Sequence, residues 1–241
     1  MNILVVGATG ATGRWLVKEL LDRGHAVKII VRSPGSLPEA VRNHPQLTVI
    51  QASLLDLSDA ALREHVQGMD AVASCLGHNL TLKGVYGQPR RLVTDATRRL
   101  CTAIKANQPT TRTKFVLMNT TGNRNRDLDE PISLAQHLVI GLLRLLLPPH
   151  VDNEQAADYL RTQIGQQDGQ IAWSAVRPDG LIDADAVTPY AIYPSPTRSA
   201  IFDAGQVSRI NVAHFMAELI TNDDCWQQWR GQMPVIYSKE A

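Results

Sequence analysis

Three evenly spaced glycines carry the clearest chemistry in this chain. Gly7-Ala8-Thr9-Gly10-Ala11-Thr12-Gly13 follows the apolar run Ile3–Val6 and leads into a segment whose Leu16, Val17, Leu20 and Leu21 form a helical stripe. Glycine lets a backbone turn tightly and approach an anion closely. The start of a helix presents unpaired N–H groups and a favourable dipole to that anion. A strand, a glycine loop and a helix in this order form the context in which such a loop holds a dinucleotide pyrophosphate. Outside that context the glycines make only a tight turn. The spacing here is G-x-x-G-x-x-G rather than G-x-G-x-x-G.

A second group lies about 20 residues on, where a dinucleotide fold places the ribose-binding residue. An Asp or Glu there bonds the NAD ribose, but this chain has Val31-Arg32-Ser33 and no carboxylate. A guanidinium matches a 2′-phosphate in charge and shape. A charge-assisted bond of about 1.5–3 kcal/mol would favour NADP(H) over NAD(H) by roughly 10- to 150-fold. The alternative is an ordinary surface arginine. His78 follows Gly77 at the end of a predicted strand, the edge where open sheets bind ligands. It reads either as a proton donor or as a plain loop histidine.

The elements that must position these residues alternate. The pattern predicts strands at Ile3–Val6, Ala26–Val31, Leu47–Gln51, Ala71–Leu76, Phe115–Met118 and Ile171–Val176. Between them it predicts helices over Thr12–Arg23, from a Ser58 cap to Gln67, over Val85–Asn107 and over Asn153–Gln166, with Val212–Thr221 near the end. Continuous apolar strands between amphipathic helices imply an α/β, doubly wound parallel sheet of the Rossmann type. Residues 1–241 read as one such domain, with a small substrate-side region over about 179–241, where proline and small polar residues replace any clear period. Leu138–Leu147, with Val139, Leu142 and Leu146 at helical spacing, reads as core or interface rather than as a membrane anchor.

Composition narrows the classes. With 24 basic and 23 acidic side chains and a net charge of +1, nothing favours nucleic acid or an anionic membrane as partner. Cys75, Cys101 and Cys225 are widely separated, so neither a disulfide framework nor a metal site is expected. The start MNILVVGATG has no basic n-region, and the expected location is the cytoplasm.

Taken together the motifs resemble the atypical short-chain dehydrogenase/reductases, in their NAD(P)H-binding, NmrA-like branch. The length and motif order are similar to those of the biliverdin-IXβ/flavin reductases. The matching residues are GATGATG, Val31-Arg32-Ser33-Pro34, Leu55-Asp56, Cys75-Leu76-Gly77, Asn119-Thr120-Thr121 and Val176-Arg177-Pro178-Asp179-Gly180-Leu181. The resemblance implies that Asp56, with Leu57 beside it, lies near the adenine. It implies that Leu76 and Gly77 line the cofactor and that Thr120 stands near the nicotinamide, where its hydroxyl can meet a substrate carbonyl.

Many of these reductases use a Tyr-x-x-x-Lys proton-transfer pair. The nearest match here, Tyr159-Leu160-Arg161-Thr162-Gln163, ends in Gln, so Tyr159 lacks the activating lysine and reads as a packed helix residue. Arg177 either pairs with an acid or faces the cleft. Three functions follow. The first is an NADPH-dependent reductase passing hydride to a small planar acceptor such as a flavin, quinone or conjugated carbonyl, for which solvent can supply the proton. The second is a non-catalytic NADP(H)-responsive protein with a protein partner or as a homodimer, which the missing pair favours. The third is an epimerase- or dehydratase-type enzyme, the one that leans most on that pair. The first is preferred, with Thr120 and His78 as candidate catalytic residues.

Overall fold

The computed structural model describes residues 1–78, 81–130 and 132–239. In chain order the elements are β1 (Asn2–Val6), α1 (Gly13–Asp22), β2 (Ala26–Val31), α2 (Glu39–Arg42), β3 (Leu47–Gln51), α3 (Asp59–Val66), β4 (Ala71–Ser74), α4 (Leu82–Tyr86) and α5 (Leu92–Ala106). Then come β5 (Thr113–Met118), α6 (Leu134–Leu146), α7 (Pro148–Tyr159), β6 (Ile171–Pro178), β7 (Gly180–Ile182) and β8 (Tyr190–Tyr193). The chain closes with β9 (Gln206–Ser208), α8 (Arg209–Thr221), α9 (Asp223–Trp229) and β10 (Val235–Ser238).

Eight strands form one sheet in the order β3-β2-β1-β4-β5-β6-β10-β8, parallel except where β8 runs antiparallel to β10 at the edge. Alternate residues of the central strands face two separate cores. Ile3 and Val5 of β1 pack with α1 and α8, whereas Leu4 and Val6 pack with α3, α5 and α7. Burial on both faces explains why β1 and β4 are apolar without alternation. The connection out of β1 leads to β2 on one side, and β4 flanks it on the other, so the chain reverses direction across the sheet at β1. Ligands bind at such a switch point, beyond the carboxyl ends of the strands.

The doubly wound sheet expected from the sequence is present, and several boundaries move. The expected helix over residues 85–107 is two helices, because Pro89 stands between α4 and α5 and cannot continue either. The helix expected from Asn153 starts at Pro148, where the ring fits the first helical turn. Residues 179–206 hold β7 and β8, and α9 and β10 are elements the sequence pattern did not mark.

One expectation is corrected in part. The apolar stripe of α6 is not core: Leu134, Leu138, Leu142, Leu145 and Leu146 are exposed, and Ile140 on the opposite side is buried. Helical spacing specifies a face but not what covers it. No single helix among the described residues is long and apolar enough to cross a membrane.

Candidate functional site

The glycine loop turns at the end of β1 with Gly7 at φ +73°, a left-handed conformation that suits glycine. The Gly10 amide donates to the Gly7 carbonyl at 3.0 Å and the Arg14 amide to the Gly10 carbonyl at 3.1 Å. Two of the glycines are demanded by packing. A Cβ on Gly7 would lie 2.5 Å from the Cys75 carbonyl carbon, and one on Gly13 would lie 2.1 Å from the Gly7 oxygen. The loop therefore presses against the end of β4 on one side and against its own helix on the other. Thr12, the residue before α1, supplies no side-chain cap, and with the Arg14 amide turned back to Gly10 and the Trp15 amide to Thr12, the Gly13 amide is left for an external acceptor.

A cleft of about 510 Å³ opens over this loop, within the size range of small-molecule sites. Gly7, Thr9 and Gly10 line it from the loop, Arg32 and Asp56 from beyond β2 and β3, and Leu76 and Gly77 from the segment that follows β4. Ala8, Thr12 and Gly13 of the loop are buried, while Ala11 is exposed. Ser33 and Leu57 lie outside the lining: Ser33 is exposed past the end of β2, and Leu57 packs on the second core. Arg32 and Asp56 are exposed, and no ion pair engages either among the described residues.

Sequence reasoning missed what holds the Asp56 end in place. Arg99, about two turns into α5, donates to the carbonyls of Leu54 (3.1 Å), Leu55 (2.7 Å) and Leu57, and pairs with Asp59 at 2.9 Å. Nothing in the local sequence links Arg99 to a turn more than 40 residues earlier. Gln88, Pro89 and Leu92 also line the cleft without having been singled out.

His78 is not a free loop histidine. Its Nε2 is 2.7 Å from Asp152 Oδ2 and its Nδ1 is 3.3 Å from the Gly84 carbonyl, with the side chain 5% exposed. Asp152, on the second turn of α7, caps another helix. Its carboxylate accepts from the amides of Val93 (2.8 Å) and Thr94 (2.9 Å) at the start of α5, which has no side-chain cap of its own. Burial alone would raise the Asp152 carboxyl, but the hydrogen bonds from His78, Thr94 and Val93 outweigh it and hold the group below its ordinary value.

The far side of the edge is organised around β5 and β6. Thr120 Oγ1 accepts from the Gly122 amide at 3.3 Å, and the Thr120 amide donates to Asn119 Oδ1 at 2.9 Å. Thr120 is half-buried and is not part of the cleft lining. The ring of His150 stands over Gly122, and burial lowers its imidazole, with Glu154 pulling the other way. Arg177 resolves its two sequence alternatives in favour of the acid. It is fully buried and bonds both oxygens of Glu130 (2.6 and 3.1 Å), together with the carbonyls of Met233, Asn123 and Pro194. All five guanidinium N–H groups are engaged.

Beside this network lie two smaller cavities of about 440 and 260 Å³, both lined by Gly122, Arg124, Ile132 and Ile140, the larger also by Thr197 and Phe202. Tyr159 is elsewhere. It packs on the second core under the Arg98 guanidinium, 5.5 Å from the ring centre, and burial raises its phenol. Tyr86 donates to the Leu146 carbonyl at 3.1 Å, and Tyr190 is 2.8 Å from His214 Nδ1.

A model of the NAD(P)H-binding family matches residues 7–223, which takes in the glycine loop and the strands β2 to β9. The chain belongs to the NAD(P)H-binding family. Among solved structures, a short-chain dehydrogenase/reductase from Veillonella parvula in complex with NADP superposes with a TM-score of 0.71 at 16% identity, covering 98% of this chain and 94% of that one. A Streptococcus pneumoniae protein provisionally designated an NADH-flavin reductase gives 0.66 at 19% identity, covering 99% and 100%. At these identities the likeness shows the shared fold. Sequence relatives match over shorter stretches. A 4-hydroxy-tetrahydrodipicolinate reductase from Natronomonas pharaonis is 44% identical over 79 residues, 30% of this chain and 31% of that protein. A 3 beta-hydroxysteroid dehydrogenase/Delta 5-->4-isomerase from Mycobacterium tuberculosis is 41% identical over 71 residues, 30% of this chain and 18% of that protein. The matches thus span less than a third of these curated relatives. A family member of this kind binds a nicotinamide dinucleotide, and the residues present fit one: two glycines stand where a Cβ is forbidden, against an uncapped helix start, under a cleft of suitable size.

Proposed function

We propose that this chain is an NADPH-dependent reductase that passes hydride to a small planar acceptor, a flavin, quinone or conjugated carbonyl. The observation that carries the acceptor reading is the 440 Å³ cavity beside the Thr120 loop, where Ile132, Ile140 and Phe202 offer apolar faces to a flat molecule. The bound nicotinamide would supply the hydride. In this reading the chain acts as one unit in the cytoplasm, residues 1–178 holding the dinucleotide and about 179–241 closing the acceptor side.

The chain's own residues divide the remaining work. Backbone N–H groups between Gly7 and Gly13, that of Gly10 excepted, bind the pyrophosphate. Arg32, with Ser33 beside it, takes the 2′-phosphate, which sets NADP(H) above NAD(H). Asp56 accepts from the adenine amine, on a turn that Arg99 holds, with Leu57 as its core anchor. Leu76 and Gly77 form the wall along the ribose and nicotinamide. The Thr120 hydroxyl already accepts from Gly122, so its own proton is free to donate to an acceptor carbonyl. His78 acts as a positioning residue, since Asp152 and the Gly84 carbonyl occupy its two nitrogens. Solvent provides the proton that a Tyr–Lys pair gives in other reductases.

A second reading, a non-catalytic NADP(H)-responsive protein of the NmrA-like type, is favoured by the missing Tyr–Lys pair, Gln163 standing where the lysine would be, and by the exposed leucines of α6. Calorimetric titration with NADPH and NADH, repeated on Arg32→Ala, tests the cofactor. The expected result is preference for NADPH by roughly 10- to 150-fold, removed by the substitution. NADPH oxidation with flavin and quinone acceptors then separates the readings. Steady turnover supports the reductase, and tight binding without turnover of any acceptor supports the responsive protein. Equal affinities unaffected by Arg32→Ala would overturn the NADP assignment.

A further inference from the structure

The face of α6 that no described residue covers has a self-complementary pattern. Leu134 is 87% exposed, Leu138 74%, Leu142 54% and Leu145 78%. Leu134, Leu138, Gly141 and Leu145 follow one another at spacings of four, three and four, the spacing of a coiled-coil seam. Read backwards the spacing is the same. A Cβ on Gly141 would meet nothing within 4 Å, so no packing inside the chain calls for glycine at the centre of this face.

We propose that this face is a homodimer interface in which α6 packs antiparallel against α6 of a second copy, about a two-fold axis passing between residues 139 and 140. Every seam position then meets another. Leu134 faces Leu145 of the second copy, and Leu138 fills the gap over its Gly141, with the same contacts repeated by symmetry. Arg144 falls opposite Ala135, and its guanidinium is engaged with Glu154 at 2.8 Å, so no like charges confront each other. Leu134, Leu138, Leu142 and Leu145, at 54–87% exposure, put on the order of 500 Å² of apolar surface in one band. Two copies would therefore bury roughly 1,000 Å² in all, the area a specific interface must clear. A lipid surface fits less well. Helices that lie in membranes carry a polar face rich in lysine and arginine, while α6 has Arg144 as its single cation and gains nothing from a central glycine. The inference stands independently of the cofactor assignment.

Sedimentation velocity of the intact protein over a concentration series into the tens of micromolar tests it. The wild type is expected to sediment as a dimer. Leu138→Glu and Leu145→Glu should each give a monomer, with circular dichroism and NADPH binding unchanged. Gly141→Leu is the sharper variant. It enlarges the apolar face yet fills the gap that Leu138 enters, so dimer dissociation should strengthen at least tenfold. A monomeric wild type, a dimer that survives Leu138→Glu, or one that Gly141→Leu tightens would overturn the proposal. So would a wild-type monomer that binds phosphatidylcholine vesicles through these leucines.

Discussion

The two halves of the sheet's carboxyl edge are made from different materials. Over β1 and β4 the cleft is backbone: three glycines, an uncapped helix start, and strand ends pressed within Cβ distance of each other. Over β5 and β6 the edge is made of side chains, with Arg177, Glu130, Asn119 and Asn123 buried and bonded to one another or to carbonyls. A cradle for a pyrophosphate works by removing side chains, and a local stretch of sequence can specify that. A loop that shapes an acceptor cavity has to be held from below. The buried charges that hold it are tolerable because all five guanidinium protons and both carboxylate oxygens find partners.

The contrast can be broken most forcefully at Glu130. Glu130→Ala leaves a fully buried guanidinium without its carboxylate and is expected to cost about 3–5 kcal/mol of stability in urea unfolding. Arg177→Met combined with Glu130→Leu should recover much of that loss. If the two halves are independent, NADPH affinity of the folded Glu130→Ala protein stays near that of the wild type. A fall in step with stability would show that they work as one.

Gly7→Ala probes the other half. It adds a Cβ 2.5 Å from the Cys75 carbonyl carbon at a backbone φ of +73°. Calorimetry should show NADPH affinity falling about 100-fold, near 2.7 kcal/mol, with a smaller loss of stability than at Glu130. The smallest effect is expected at the junction. Asp152→Asn should cost about 1–2 kcal/mol at neutral pH through the weakened cap on α5. The Asp152 carboxyl is held below its ordinary value in the folded chain, so its contribution is present above about pH 4. It is lost as pH falls from there toward the lower native value. Unfolding measured from pH 7 down to pH 3 should show the gap between wild type and Asp152→Asn closing on acidification. A constant gap would assign the cost to packing.

This division also explains what the sequence made legible. The glycine loop, Arg32 and Leu76-Gly77 are read locally, because strand, turn and helix adjoin in the chain. The central strands are read from apolar runs. What stayed hidden depends on contacts far along the chain: Arg99 reaching back to Leu54–Leu57, Asp152 capping a helix 58 residues earlier, and Arg177 reaching Glu130 47 residues away. The short strand β10 escaped because four residues with one apolar pair in register beside β6 carry little periodic signal. The α6 stripe was read correctly as a face, yet its exposure is a property of the neighbours.

The borrowed cap on α5 has a bearing on how the chain is built. As synthesis proceeds, α5 is complete long before Asp152 emerges, and until then the amides of Val93 and Thr94 must be satisfied by water. The wall that His78 stands on is unfinished for the same interval. A fragment ending just before Pro148 would contain the entire glycine loop and the Arg32 end of the cleft but neither the cap nor the partner of His78. Half of the dinucleotide site is therefore local in time as well as in sequence, and the other half is completed only when α7 docks.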